Sequence, residues 1–226
     1  MAYIENLNLL FIHVPKNAGK SIESSLGIAT DKLLQAPRTR SFSNLVAKYL
    51  LNKTQNRMAR SCLFGSFDYV LCAQHLSYQE IEFLNLIPRL KLQNVCSFAV
   101  IRNPYDRALS TYRHFNKDTS LSGFKVFWKN AIGHSSLDHN VIAHLRTQRS
   151  FVVNAHDEIA VSKLLRFERL RADFDEFVKK SNISVRPLSH LGRHPTLNYE
   201  DFYDKDAKLL VQGIFKEDFD EFSYER

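Results

Sequence analysis

The residues best suited to chemistry cluster first in the segment HVPKNAGKS, positions 13 to 21. Ala18 and Gly19 are small enough for the backbone to wrap a phosphate, Lys16 and Lys20 flank Asn17 with positive charge, and Ser21 offers a hydroxyl at a helix start. The tail GKS matches the end of the nucleoside-triphosphatase pattern GxxxxGK[ST], whose first glycine would fall at position 14. Val14 stands there, and valine cannot replace a glycine needed for tight curvature. No apolar strand ends in an aspartate clearly placed to hold magnesium. A kinase or nucleotidase using ATP and magnesium is therefore the second reading, behind phosphate binding without a metal.

A second anion signal lies in FAVIRNPYDRALSTYRHF, residues 98 to 115. Arg102 leaves an apolar run and can hold a phosphate in bidentate fashion. Ser110 follows eight residues later on the next helix. Pro104 fixes the turn, and Asp106 near the helix start complements the dipole. The nine histidines form no HExxH or other metal-ligating spacing, so no metal is expected. His13 precedes the first loop and is expected to be a packed strand residue, with orienting the loop as the alternative.

These two segments require strands that deliver them to one edge of a sheet. Residues 8 to 14 (NLLFIHV) form an apolar run ending at Pro15, the pattern of a buried strand, with a helix beginning near Lys20. Tyr69 to Ala73 reads as a second strand, and Ser77 to Leu86 as a helix whose Ser77 and Glu80 have capping-box spacing. Val95 to Ile101 is apolar almost throughout, as a strand covered on both faces should be. Its following helix opens at Pro104 and runs to about Phe115. Leu121 to Leu145 is mostly helical in pattern, with Trp128 assigned to the core. Lys163 to Phe167 reads as the last strand, Ala172 to Lys180 as an amphipathic helix, and YEDFYDKDAKLLVQGIF as a closing helical stretch. Such alternation predicts an α/β fold: three P-loop-like layers, with helices flanking a mainly parallel central sheet.

At 226 residues the expectation is one domain spanning residues 1 to 226, with residues 29 to 66, the least patterned stretch, as a substrate-facing insertion. Hydrophobic residues at 44% and charged residues at 24% exclude disordered and fibrous classes. The net charge of +7 suits anionic partners, although a basic excess of this size also simply keeps a protein soluble. Aromatic and basic residues are not interleaved as in stacking platforms, which ranks a nucleic-acid-binding module last. Cys62, Cys72 and Cys96 lack CxxC spacing and read as buried thiols. No apolar stretch approaches the roughly 18 residues of a membrane span, so no membrane insertion is expected.

Together, HVPKNAGKS and IRNPYDRALSTY resemble the sulfotransferase superfamily, closest to its carbohydrate-modifying family 2 branch, which uses 3′-phosphoadenosine 5′-phosphosulfate (PAPS) and releases adenosine 3′,5′-bisphosphate. The first segment resembles the family's 5′-phosphosulfate loop, usually HVPKTGGTS, and the second its 3′-phosphate segment. The resemblance implies that Lys16, Asn17, Ala18, Gly19, Lys20 and Ser21 hold the 5′ end and Arg102 with Ser110 the 3′ end. This chain departs from the usual pattern at Asn17, Ala18 and Lys20. HLRTQRSFV (144 to 152) resembles the family's Gln-containing segment, LLRFERLRADFDEF its strand-to-helix step, and YEDFYD with KEDFDEFSY its usual ending, so most of the chain is covered.

Sulfuryl transfer to a hydroxyl implies a base for its proton. QHLSY resembles the place where glycan 2-O-sulfotransferases carry their catalytic histidine, which makes His75 the chosen base and Lys16 the stabiliser of leaving-group charge. Without that context, a lone histidine after a strand is more often structural. Glu23 is the alternative base, since other branches use a glutamate, although its bland reading is a solvated first-turn acid. The implied acceptor is a hydroxyl-bearing glycan or glycoconjugate. A cytoplasmic, bacterial enzyme is the expected setting, with a trimmed luminal Golgi domain as the alternative.

Overall fold

The computed structural model describes residues 2 to 27, 75 to 83, 85 to 117, 119 to 131, 139 to 188 and 202 to 226. The expected strand at Tyr69 to Ala73, the insertion at 29 to 66, Cys62 and Cys72 lie outside these residues.

Four strands form one sheet in the order β1 (Ala2–Ile4), β2 (Leu9–Ile12), β3 (Cys96–Ile101) and β4 (Lys163–Arg166). The edge strand β1 runs antiparallel to β2, whereas β2, β3 and β4 are mutually parallel. Register pairs Phe11 with Phe98 and Ile12 with Ala99, and then Ala99 with Leu164 and Val100 with Leu165. Paired residues point to the same face. Leu10, Ile12, Ala99 and Ile101 therefore pack on one side, against Leu76, Ile81, Leu92, Phe151 and Phe222. Leu9, Phe11, Phe98, Val100 and Leu165 pack on the other, against Ile22, Phe174 and Phe177. Two covered faces explain why β2 and β3 read as unbroken apolar runs.

Helices α1 (Gly19–Ser25) and α8 (Leu170–Lys180) supply the second layer, while α2 (Tyr78–Phe83), α3 (Arg89–Asn94), α7 (Arg149–Val152) and α10 (Lys216–Phe222) cover the first. At α2 the expected capping box is present: Glu80 Oε2 accepts from Ser77 N–H at 2.7 Å, and Ser77 Oγ accepts from Glu80 N–H at 3.2 Å. A third core joins α4 (Pro104–Phe115), α5 (Leu121–Ala131), α9 (Lys205–Ile214) and α10, and buries Trp128 among Phe124, Phe215 and Phe219. Helix α6 (His139–Leu145) precedes α7.

Three features differ from the sequence reading. Strand β1 and helix α3 were not anticipated, nor was α10, which follows the closing helical stretch after its last residue, Phe215, where φ is −109°. Cys96 is a free thiol only partly buried, 3.7 Å from the Ser181 hydroxyl, because it opens β3 at the sheet's edge of entry. Among the described residues no helix is long and apolar enough to cross a membrane.

Candidate functional site

Because β2 and β3 are parallel, the loops that leave them emerge at the same end of the sheet, where strand ends face helix starts. The first loop joins Ile12 to α1. Lys16 has φ 70° and Ala18 φ 61°, so two non-glycine residues take left-handed backbone around Asn17. Alternating backbone hands of this kind turn successive N–H groups into one concavity, a nest for an anion. Helix α1 starts without a side-chain cap, since Ala18 has no acceptor to offer. Its first N–H groups therefore suit an anion from outside the chain. Ser21 is buried in the first turn, while Lys20 is exposed.

Gly19 is required by its neighbour. A Cβ there would collide with the His13 imidazole, which lies against the helix start. His13 is held in place by Glu23, whose Oε1 is 2.7 Å from Nδ1, both side chains being buried. Burial lowers the pKa of His13 despite the opposing pull of Glu23. The reading of Glu23 as a solvated first-turn acid is thus corrected: its carboxylate is buried because it completes this pair.

The second loop begins with Arg102. Its guanidinium lies 4.0 Å above the Phe167 ring, and Nη1 donates to the Lys16 carbonyl at 3.1 Å, so the two predicted phosphate segments touch. Arg102 Nε is buried without a partner among the described residues, an unspent donor where an anionic oxygen would fit. Asn103 caps α4 by accepting from Tyr105 N–H, and Pro104 occupies its first turn. Ser110 sits half-buried further along α4. Among the described residues no hydrogen bond links it to the Arg102 guanidinium. Burial, with Arg102 and Lys20 nearby, lowers the Lys16 pKa to about 8.

Arg107, which the sequence reading did not single out, holds this arrangement together with the expected loop residue Asn17. Arg107 is buried, donating through Nε to the Pro15 carbonyl at 3.2 Å, through Nη1 to Arg146 O at 2.9 Å and through Nη2 to His144 O at 3.3 Å. Burial lowers its pKa to about 10, with Asp218 as the opposing charge. Its sequence signal was available: positions 104, 107, 108 and 111 form one buried helical stripe, and a charge within such a stripe needs partners. Asn17 is buried and donates through Nδ2 to Val100 O at 2.7 Å and to Gln148 Oε1 at 2.6 Å.

His75 begins the described stretch before α2 and is half-buried. Its Nδ1 is 3.1 Å from the His13 carbonyl, which can only accept, so Nδ1 carries the proton and Nε2 is the basic nitrogen of the neutral ring. Ring centroids lie 4.6 Å from His13 and 5.2 Å from His144, which stacks on His114 at 5.0 Å. Burial first, then the neighbouring imidazoles, puts the His75 pKa well below the ordinary value. His114 is also lowered, by burial and then by Lys16 and Lys20. Among the described residues no group of His, Cys, Asp and Glu side chains is arranged to hold a metal ion.

A family model matches residues 2 to 225, nearly the whole chain; its description is "Sulfotransferase family". No curated protein matches. No solved structure matches.

Proposed function

The chain belongs to the sulfotransferase family, and from that premise we propose that it transfers a sulfuryl group from 3′-phosphoadenosine 5′-phosphosulfate to a carbohydrate hydroxyl. The observation that carries this reading is the meeting of the two loops: Lys16 and Arg102, from adjacent parallel strands, are joined by the Arg102 Nη1 bond to the Lys16 carbonyl. Two cationic groups on loops that leave adjacent parallel strands suit a ligand with two separated phosphates. The uncapped start of α1, the left-handed backbone at Lys16 and Ala18, and the unspent Arg102 Nε fit such a ligand.

The donor, when bound, supplies the sulfuryl group and leaves with the electron pair of the broken S–O bond on its 5′-phosphate oxygen. In this reading the nest and Lys16 hold the 5′ end and stabilise that growing charge, with Asn17, Ala18, Gly19, Lys20 and Ser21 forming its wall. Arg102 and Ser110 hold the 3′ end. His75 Nε2 takes the acceptor proton as the acceptor oxygen bonds to sulfur, a role that suits an imidazole kept neutral at ordinary pH. Glu23 is the alternative base. Its bond to His13 favours a positioning role, so Glu23→Gln should slow transfer less than His75→Ala. Residues 29 to 66 are proposed to face a glycan or glycoconjugate acceptor, with an acidic chain favoured by the net charge of +7.

Thermal-shift measurements with adenosine 3′,5′-bisphosphate, ATP plus magnesium, and single-stranded DNA separate this reading from a kinase and from a nucleic-acid module. Stabilisation by the bisphosphate in the absence of metal is expected, about 2.7 kcal/mol at a hundredfold excess over Kd. In a radiolabelled sulfate-transfer assay over an acceptor array, Lys16→Ala and His75→Ala should each lower turnover about a hundredfold or more with the fold intact. Near-wild-type rates in either variant would remove that residue from its role.

A further inference from the structure

Gln148 opens the short helix α7 and is completely buried. Its side-chain amide touches both loops at once. Oε1 accepts from Asn17 Nδ2 at 2.6 Å, on the first loop, and from the Arg102 N–H at 2.8 Å, on the second. Nε2 donates to the Arg102 carbonyl at 2.8 Å. The amide orientation follows from Arg102, whose N–H can only donate and whose C=O can only accept. Gln148 thus pairs with Arg102 as a neighbouring strand would, at the point where β3 has ended.

The anchor for this amide comes from the far end of the chain. Asp218 on α10 is buried, and its carboxylate accepts from the Gln148 N–H and the Arg149 N–H, each at 2.9 Å. A side chain with its backbone fixed and three hydrogen bonds made by its amide has little freedom to move. Hydrogen bonds at both ends of the residue hold the Gln148 amide in one orientation, while Asn17 Oδ1 beside it is buried without a partner among the described residues.

We propose that Gln148 is a positioning residue that sets the separation of the two phosphate-holding loops, so that a ligand with phosphates at both ends engages them together. The proposal rests on the donor-site reading given above. Gln148 meets Asn17 and the Arg102 backbone, leaving the Arg102 guanidinium and the loop's outward face to the ligand. Its loss would leave each loop able to hold a single phosphate while spoiling their joint geometry. A two-point ligand gains affinity over one-point ligands only when both sites can be reached simultaneously.

The test compares three ligands by calorimetry on the full chain: adenosine 3′,5′-bisphosphate, adenosine 5′-monophosphate and adenosine 3′-monophosphate. Gln148→Ala and the size-matched Gln148→Met should weaken the bisphosphate on the order of thirtyfold and each monophosphate less than about threefold. Equal weakening of all three ligands would show a merely structural role and overturn the proposal, as would bisphosphate affinity that stays unchanged. Should both variants fail to melt cooperatively, Asp218→Asn loosens the anchor of Gln148 from outside both loops, with the same selective loss expected. A wild-type chain that binds no bisphosphate overturns the donor-site reading itself, and the proposal with it.

Discussion

Lys16 carries two opposed demands. Its ammonium is partly withdrawn from water and sits near Arg102 and Lys20, which together lower its pKa from 10.5 to about 8. The unfolded chain restores the ordinary value, so between about pH 8 and 10.5 the unfolded state binds more protons. Stability contributed by this residue therefore rises with pH across that window, while its charge in the folded protein falls. Donor kcat/KM should decline above about pH 8 in the wild type. Lys16→Arg, charged throughout, should shift that limb upward, and Lys16→Met should lack the rise in urea stability that the wild type shows from pH 8 to 10.5. A high-pH limb unchanged in Lys16→Arg would assign it to another group. His75 sets the opposite limb: lowered by burial, it stays a neutral acceptor until the pH falls well below the ordinary imidazole value.

At the scale of elements, the first loop is fixed by how β2 meets α1. His13 continues β2, and its ring occupies the space a side chain at position 19 would need. Gly19→Ala must displace either the imidazole with its Glu23 bond or the helix start, an overpacking cost of about 1–3 kcal/mol. Urea denaturation should show that loss together with weakened bisphosphate binding; a stable variant with full affinity would mean that the His13 ring moves freely. Ala18, where the family usually has glycine, takes a left-handed φ of 61°. Its departure from the pattern costs backbone strain, yet the turn is still made.

The elements that place this loop were legible because each has a local cause. β2 and β3 follow from their apolar runs, α2 from the Ser77–Glu80 pair, and α4 from Pro104. β1 has only three residues, too few for a period, and α3 buries only Leu92 of its six. The site was legible in the same uneven way. Lys16 and Arg102 belong to contiguous motifs, whereas Gln148 acts on Asn17 across 131 positions and takes its anchor from Asp218 across 70. No local pattern encodes such partners.

Across the whole molecule, α10 ties the parts together. Phe222 packs in the core on one face of the sheet, Phe219 in the separate helical core, and Tyr224 reaches both. Asp218 on the same helix fixes Gln148 and, through it, both loops. If the chain is a single cooperative domain, damage to the sheet core must be felt in the helical core. Trp128, the only tryptophan, reports from the helical core. Phe222→Ala, a truncation in the other core, should cost about 3–5 kcal/mol and move the tryptophan fluorescence midpoint and the far-ultraviolet circular dichroism midpoint to lower urea by the same amount. Coincident curves are the expected result. A fluorescence transition that keeps its wild-type midpoint while the dichroism curve shifts would divide the chain into two units, and α10 would then be a contact between domains and not the spine of one.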